Sequence, residues 1–395
     1  MRYLSLRRAI GPRLVKAFAI ASVLCALGAP SAIAAKFDTK AEYAILIDAF
    51  SGSVLYEKNA DELMAPASMS KLMTLAVIFK GLKSGRFTLE DEFHISENAW
   101  RTGGAPSGTS AMFAPLNSSV TLSDLLQGII VQSGNDACIA IAEGVSGSEE
   151  NFAEEMTTHA RSLGLKKSTF RNSTGLPDPD HMMTSRELAM LAQHIIDSYP
   201  EYYHYFKQRE FKYRRHKFFN RNPLVYLNIG VDGLKTGYIK DSGYGLVASG
   251  EKSGRRLIVV VNGLTSKRER TTAARRLLQW GYRNFRPFKL FDKDETVGEA
   301  RVWGGTSMYV RLVGKGPVRV FLPRFDKKKV KASIVYDGPL KPPIKQGDQV
   351  ARLRVVADNS ATSEVPLYAA EDIGQGSVMR RGFDSLLYLA FGWLL

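Results

Sequence analysis

Cysteine is nearly missing from this chain: Cys25 and Cys138 are the only two among 395 residues. No disulfide framework can carry the fold, so stability has to come from an apolar core. The six histidines form no H-E-x-x-H or H-x-H arrangement, which with so little cysteine argues against zinc; neither a metal nor a cofactor is expected. The G-x-S-x-G, G-x-G-x-x-G and P-loop patterns are absent, which removes the hydrolase elbow and two common nucleotide cradles. There is no apolar run long enough to cross a bilayer, no internal repeat and no low-complexity tract. Those absences exclude a polytopic membrane protein, a collagen-like fibre and wholesale disorder. Acid is short as well: 39 Asp and Glu stand against 54 Lys and Arg, a net charge of +15. That balance admits a nucleic-acid binder, a protein at an anionic surface, or an enzyme for acidic substrates.

What is present is ordinary globular material, 45% hydrophobic and 24% charged, in a length that suits two or three domains of about 150 residues each. Both ends are unusual. Arg2, Arg7, Arg8, Arg13 and Lys16 form a basic start without an acid, Ala17–Gly28 is apolar, and Ala32-Ile33-Ala34 is a small-residue cleavage site. Residues 1–34 therefore read as a secretory signal peptide, so the protein is expected to be exported, and its loss removes five positive charges and Cys25. At the other end, Gly374-Gln-Gly376 reads as a short hinge before Val378–Leu395. There Met379, Phe383, Leu386, Leu387, Ala390, Phe391 and Leu394 share one helical face, with Arg380, Arg381, Asp384 and Ser385 opposite. The run Leu386–Leu395 spans only about 15 Å as a helix against a ~30 Å bilayer core. Residues 373–395 are expected to form an amphipathic helix lying on an anionic membrane surface, or docked on their own domain.

Between the ends, residues 35–287 mix two periods. Ala44–Asp48 and Ser53–Tyr56 read as a hairpin, and Ser68–Lys83, Leu125–Val131, Asp136–Gly144, Glu149–Leu163, Ser185–Ile196 and Thr271–Trp280 as helices. Leu234–Tyr238, Tyr244–Ser249 and Leu257–Leu264 read as strands. Strands from both ends of the segment flanking helices predict an antiparallel sheet packed on a helical cluster, an α+β domain. Residues 288–372 show only short strand-like segments between Gly-, Pro- and Lys-rich turns, a small all-β sandwich. Lys327–Lys331 reads as a solvated turn there.

Three short motifs carry chemistry. Ser68 and Lys71 fall one turn apart on a helix, where an amine with a depressed pKa can deprotonate a hydroxyl. The helix start favours a developing oxyanion. Ser133-Gly134-Asn135 is a polar turn between apolar helices, able to offer a hydroxyl and a carboxamide to a cleft. Lys235-Thr236-Gly237 on a strand supplies a cation, a hydroxyl and a bare backbone. Each is weak alone: S-x-x-K recurs at Ser249–Lys252, and S-x-N at Ser96–Asn98. A given tripeptide is expected on the order of 0.1 times in such a length, so all three in order on suitable elements form a strong signal.

With these motifs the chain resembles the penicillin-fold serine acyltransferases, and within them the D-alanyl-D-alanine carboxypeptidases that carry an extra β domain. Asn135–Cys138, Ser173–Pro177, Asn220-Arg-Asn222, Val231–Tyr238, Gly243–Ser249 and Trp280-Gly281 are similar to that family too. The resemblance implies a penicillin-binding, β-lactamase-like catalytic domain with Ser68 as nucleophile, Lys71 as its base and Ser133 as proton relay. It implies Asn135 on the substrate amide, Lys235, Thr236, Gly237 and Arg268 around the terminal carboxylate, and an oxyanion hole from the Ser68 and Tyr238 backbone N–H groups. The implied partners are a peptidoglycan stem peptide ending in D-Ala-D-Ala, β-lactams and the outer face of the cytoplasmic membrane, with no nucleic acid. Ile239 and Lys240-Asp-Ser242 depart from the family pattern and put substrate preference in doubt. Cys138 reads as a small buried residue, and His181, beside Asp178 and Asp180, as structural or substrate-side. A β-lactamase is the nearest rival, but Phe113 and Leu224 stand where its E-x-x-L-N glutamate belongs. An endopeptidase on D-Ala-diaminopimelate cross-links and a weakly catalytic envelope scaffold also remain, while the basic, aromatic stretch Lys207–Arg221 is what a nucleic-acid reading would use.

Overall fold

The computed structural model describes residues 37–323, 330–357 and 362–391. The signal segment 1–34, Lys327–Lys329 of the basic cluster and residues 392–395 lie outside the described residues. Along the chain, β1 (Tyr43–Asp48) and β2 (Val54–Lys58) form the expected hairpin. A 3-10 turn, Ala67–Ser70, runs into α1 (Lys71–Lys83), and β3 (Glu92–His94) and β4 (Ser119–Thr121) pair before α2 (Leu122–Gln127). Then come α3 (Asn135–Ser146), α4 (Glu149–Ser162), α5 (Ser185–Ser198) and the short α6 (Pro200–Tyr203). The hairpin β5 (Glu210–Tyr213) and β6 (His216–Phe219) precedes β7 (Val231–Ile239), β8 (Gly243–Lys252), β9 (Arg255–Leu264) and α7 (Lys267–Asn284).

The helices begin where side chains can take up their orphan amides. Thr121 caps α2, Ser148 caps α4, Thr184 caps α5 and Ser266 caps α7, each accepting a hydrogen bond from the N–H three residues on. The central sheet runs β2-β1-β9-β8-β7 and is antiparallel throughout. Its alternate residues divide between two cores. Ile45, Ile47, Val247, Ile258 and Val260 face the helical cluster around α1, whereas Ala44, Leu46, Leu246, Ala248, Val259 and Val261 face α7. A strand covered on both sides reads as a continuous apolar run, which is the pattern of β9. Helix α1 is buried along nearly its whole length, as an all-round apolar helix must be.

The strand β10 (Phe285–Phe291) follows α7 directly. Then come β11 (Gly298–Arg301), β12 (Tyr309–Val313), β13 (Val318–Pro323), β14 (Val330–Val335), β15 (Gln349–Ala357) and β16 (Thr362–Ala369). A β10-β13 pair and a sheet in the order β11-β12-β16-β15-β14 enclose a separate core that includes Val310, Leu312, Val320, Leu353 and Leu367. Helix α8 (Val378–Phe391) ends the described chain.

The hinge expected at Gly374–Gly376 is instead clamped. Thr306 N–H donates to Gly374 C=O and Gly376 N–H to Gly304 C=O, both at 2.9 Å. The buried Asp384 carboxylate on α8 accepts from Gly304 N–H at 2.9 Å. A Cβ on Gly376 would lie 2.7 Å from Gly305 O, so this glycine serves close backbone approach rather than freedom. No helix among the described residues is long and apolar enough to cross a membrane.

Candidate active site

Ser68 lies in the 3-10 turn and Lys71 is the first residue of α1. The sequence reading starts a regular helix at Ser68; the tighter turn eclipses side chains three apart, and Lys71 Nζ donates to Ser68 Oγ at 3.0 Å. The turn is entered through Ala67 at φ +49°, an unfavourable backbone for alanine. A Cβ on Gly237 of β7 would come 2.8 Å from Pro66 O and 3.3 Å from Ala67 Cβ. Only a bare backbone lets β7 lie this close, and that closeness sets the Lys235–Tyr238 segment against the Ser68 turn.

Lys71 is fully buried, and its Nζ also donates to Asn135 Oδ1 at 2.7 Å and to the Thr174 carbonyl. These three acceptors match the three protons of an ammonium. Burial, with a further push from the Arg221 charge, brings the Lys71 pKa down to about 8. Nearby Cys138, Glu149 and Asp136 oppose that fall. Both carboxylates are otherwise engaged. Glu149 Oε1 accepts from Ser173 N–H and Oγ at 3.0 and 2.6 Å. Asp136 accepts from the Met112 and Ala114 amides at 2.9 and 3.2 Å.

Ser133 caps the end of α2's extension at φ +68°, and its Oγ is buried without a hydrogen-bond partner among the described residues. A buried hydroxyl left free in this way can pair with a ligand group or a water. Asn135 Nδ2 donates to Thr109 Oγ1 at 3.0 Å, which fixes the carboxamide so that its oxygen faces Lys71. Lys235 is buried, and its one hydrogen bond among the described residues is a long 3.4 Å contact to Thr236 O. Burial, then Lys71, then Arg221 hold its pKa well below the ordinary lysine range, and Arg270 adds to the effect. Thr236 is buried beside it, and Tyr238, whose backbone N–H the reading assigns to the oxyanion hole, stacks its exposed ring on Tyr244 at 4.2 Å.

Arg268 is not where the sequence reading puts it. It is exposed on α7 and forms no hydrogen bond or ion pair among the described residues. The buried arginine of that helix is Arg270, on the same face as Ala273, Ala274, Leu277 and Leu278. Burial lowers its pKa to about 10, and the Arg221 charge adds to the fall. Helical phase would have chosen Arg270 over Arg268. Arg221, which donates to Ser110 Oγ at 2.6 Å, stood inside the quoted Asn220-Arg-Asn222 without a role. Thr174, whose carbonyl holds Lys71, stood likewise within Ser173–Pro177. The site thus gathers Lys71, Lys235, Arg221 and Arg270, and no carboxylate pairs with Lys235, Arg221 or Arg270 among the described residues. Such a cluster is costly until an anion enters it.

The other two candidates are structural. Burial raises the Cys138 thiol to about 12, so it stays protonated. His181 is buried edge-on to Phe170, accepts from Arg171 N–H at 3.3 Å and is pushed down to about 4 by burial. No serine hydrogen-bonds to it among the described residues.

A sequence profile of the S11 peptidases, described as D-alanyl-D-alanine carboxypeptidase, matches residues 30–266. A second, the C-terminal domain of penicillin-binding protein 5, matches residues 285–375. D-alanyl-D-alanine carboxypeptidase DacC of Escherichia coli (strain K12) is 37% identical over 388 residues, covering 96% of this chain and 97% of the relative. Penicillin-binding protein 5 from Haemophilus influenzae superposes with a TM-score of 0.72 at 34% identity, over 86% of this chain and 99% of that one. Penicillin-binding protein D2 from Listeria monocytogenes, in its ampicillin-bound form, superposes with a TM-score of 0.57 at 25% identity, over 62% of this chain and 99% of that one.

Proposed function

The chain belongs to the D-alanyl-D-alanine carboxypeptidase family, and from that premise we propose how its residues carry the reaction. It is a serine-type D-Ala-D-Ala carboxypeptidase with a penicillin-binding catalytic domain and a C-terminal β domain. The observation that supports the assignment of roles is Lys71, buried with its amine on Ser68 Oγ, beside Lys235, Arg221 and Arg270, which pair with no carboxylate among the described residues.

Losing one proton leaves Lys71 two donors for Asn135 and Thr174 and a lone pair for the Ser68 hydroxyl proton. Ser68 Oγ attacks the carbonyl of the D-Ala-D-Ala bond, and the Ser68 and Tyr238 backbone N–H groups take the oxyanion. Lys235, Thr236 and Arg270, with Arg221 at the edge, hold the terminal carboxylate, and Gly237 leaves room for the chain. Ser133 passes the proton to the departing D-alanine amine, and Asn135 orients the peptide amide. Water then splits the acyl-serine ester, releasing a stem shorter by one residue.

β-Lactams acylate the same Ser68. Their release should be slow because the carboxylates near Lys71 are already engaged, Asp136 by the Met112 and Ala114 amides and Glu149 by Ser173. Labelling with fluorescent penicillin tests this: signal that persists in Ser68→Ala removes Ser68 as nucleophile, and rapid steady hydrolysis would make the enzyme a β-lactamase.

Export through residues 1–34 delivers the enzyme to the periplasm. The catalytic part ends and the β domain begins at the junction of α7 and β10, which the pairing of β10 with β13 favours. Residues 373–395 attach it peripherally to the outer face of the cytoplasmic membrane through Arg380 and Arg381. A chain stopped at Gly376 should then leave the membrane fraction; retention there would refute the anchor.

A further inference from the structure

The stretch Lys207–Arg221, which none of the catalytic roles uses in full, folds as the hairpin β5–β6 and projects a cationic face. Lys212 stands directly opposite Lys217, and the next outward pair is Glu210 with Phe219. Two like charges facing each other across a strand pair are unfavourable in isolation. Glu210 answers only one of them, at 2.8 Å from Lys217, and Lys212 has no ion pair among the described residues. Phe219 is 60% exposed under the Lys217 ammonium, 5.5 Å from its ring centre. Arg214 and Arg215 sit exposed at the turn. The other face is the ordinary one: Phe211, Tyr213 and Phe218 are buried.

This hairpin is joined to the active-site rim at two points. Phe218 stacks on Phe113 at 6.1 Å, and His216 lies tilted against the same ring at 5.0 Å. The Phe113 loop is tied on both sides to the Asp136 carboxylate, next to Asn135. Past β6, Arg221 donates to Ser110 Oγ, and its charge reaches both Lys71 and Lys235. The outer lysines therefore continue the positive field of the cleft beyond the reach of one peptide end.

We infer that the Lys212–Lys217 face of the β5–β6 hairpin is a second substrate-binding surface, which holds the carboxylates of neighbouring stem peptides on the same wall strand. The inference rests on the carboxypeptidase reading. In that reading every uncut stem ends in a carboxylate, so a strand bearing many stems is a polyanion, and a soluble peptide is not. The surface acts on capture of the polymer and leaves acyl transfer at Ser68 alone.

The test pairs Lys212→Glu/Lys217→Glu with the milder Lys212→Gln/Lys217→Gln, in the full chain. D-Alanine release is followed from isolated peptidoglycan and from a soluble peptide ending in D-Ala-D-Ala, alongside fluorescent-penicillin acylation and co-sedimentation with peptidoglycan. The charge reversal should lower kcat/KM on the polymer on the order of tenfold and flatten its salt dependence. It should weaken co-sedimentation while the soluble peptide and penicillin rates stay within about twofold, and the glutamine pair should fall between. Equal losses on both substrates, or no loss on the polymer, overturn the proposal. So does lost binding to anionic phospholipid vesicles with polymer turnover intact, which would make the hairpin a membrane contact. A wild-type enzyme that released no D-alanine from the soluble peptide would instead sink the carboxypeptidase reading, and co-sedimentation would still report on the hairpin.

Discussion

Between Phe285 and Gln375 every buried side chain among the described residues is apolar, whereas residues 37–284 bury Lys71, Lys235, Arg270, Asp48, Asp136 and two histidines. Both regions are built on antiparallel sheets, so the difference does not come from architecture. The β domain keeps its charge on the surface, as in Arg354–Glu364 at 2.6 Å and Arg311–Glu371 at 3.0 Å, where ion pairs contribute little either way. The catalytic region buries its cations, a cost to folding that a bound anion would offset. One region is organised for stability and the other for chemistry.

That contrast can be tested from its strongest consequence downward. Ser68→Ala should reduce D-alanine release by roughly 10^4-fold or more with no shift in either melting transition by calorimetry; a lowered catalytic transition would make Ser68 a packing residue. Arg270→Gln should lower kcat/KM on D-Ala-D-Ala peptides by roughly 10- to 100-fold, and Arg268→Gln should leave it within about twofold, since it is exposed. In the same steady-state assay an equal effect of both would return the carboxylate role to Arg268. Arg270→Met should also raise the catalytic melting temperature, because it removes a buried charge without a counterion. A fall would show that the charge is compensated in the free enzyme.

Proton dependence should divide the regions again. Acylation by penicillin should rise as pH increases toward and past about 8, where Lys71 loses its proton, by about tenfold per unit below that value. A profile flat from pH 6 to 9 would remove Lys71 as base. For stability the sign follows from the histidines. Burial holds His159 and His181 down to about 4 in the fold, against about 6.5 unfolded. Their contribution is present above pH 6.5 and is lost as pH falls toward 4, because the unfolded chain takes up protons the fold refuses. The catalytic transition should therefore soften over that window in a pH series of melts. The β domain, which holds none of the six histidines, should stay level. Smallest in its effect on catalysis is Leu312→Ala. Emptying this fully buried site should cost the β domain about 2–5 kcal/mol and leave D-alanine release within about twofold. Parallel loss of activity would mean that the domains unfold as one.

What could be read ahead of the fold was local. Ser68–Lys71, Ser133–Asn135 and Lys235–Gly237 are legible because each keeps its partners within four residues, and β9 because it is a nearly continuous apolar run. The strands β10 and β16 escaped because each carries a proline, Pro287 and Pro366, which counts against a strand unless its neighbours tolerate the missing N–H. The hairpin β5–β6 escaped because its outward face is charged and its inward face is covered by Phe113 from far along the chain. Arg268 was chosen in place of Arg270 because the reading began that helix at Thr271, which left both arginines outside it, whereas α7 begins at Lys267, and two residues on a helix turn a side chain to nearly the opposite side.

The amino-acid order by itself determined the reaction class and the division between a mixed domain and a β domain, and it singled out Ser68 as the proposed nucleophile, since motif spacing and hydrophobic period are properties of neighbours along the chain. Only the tertiary structure decided which further cations join Lys71 and Lys235. It alone bound Lys71 to the Thr174 carbonyl, and it alone clamped Gly374–Gly376 where a hinge had been expected. Each of those is set by burial and by contacts between residues far apart along the chain, and desolvation, which lowers the pKa of both Lys71 and Lys235, exists only once the chain has closed around them.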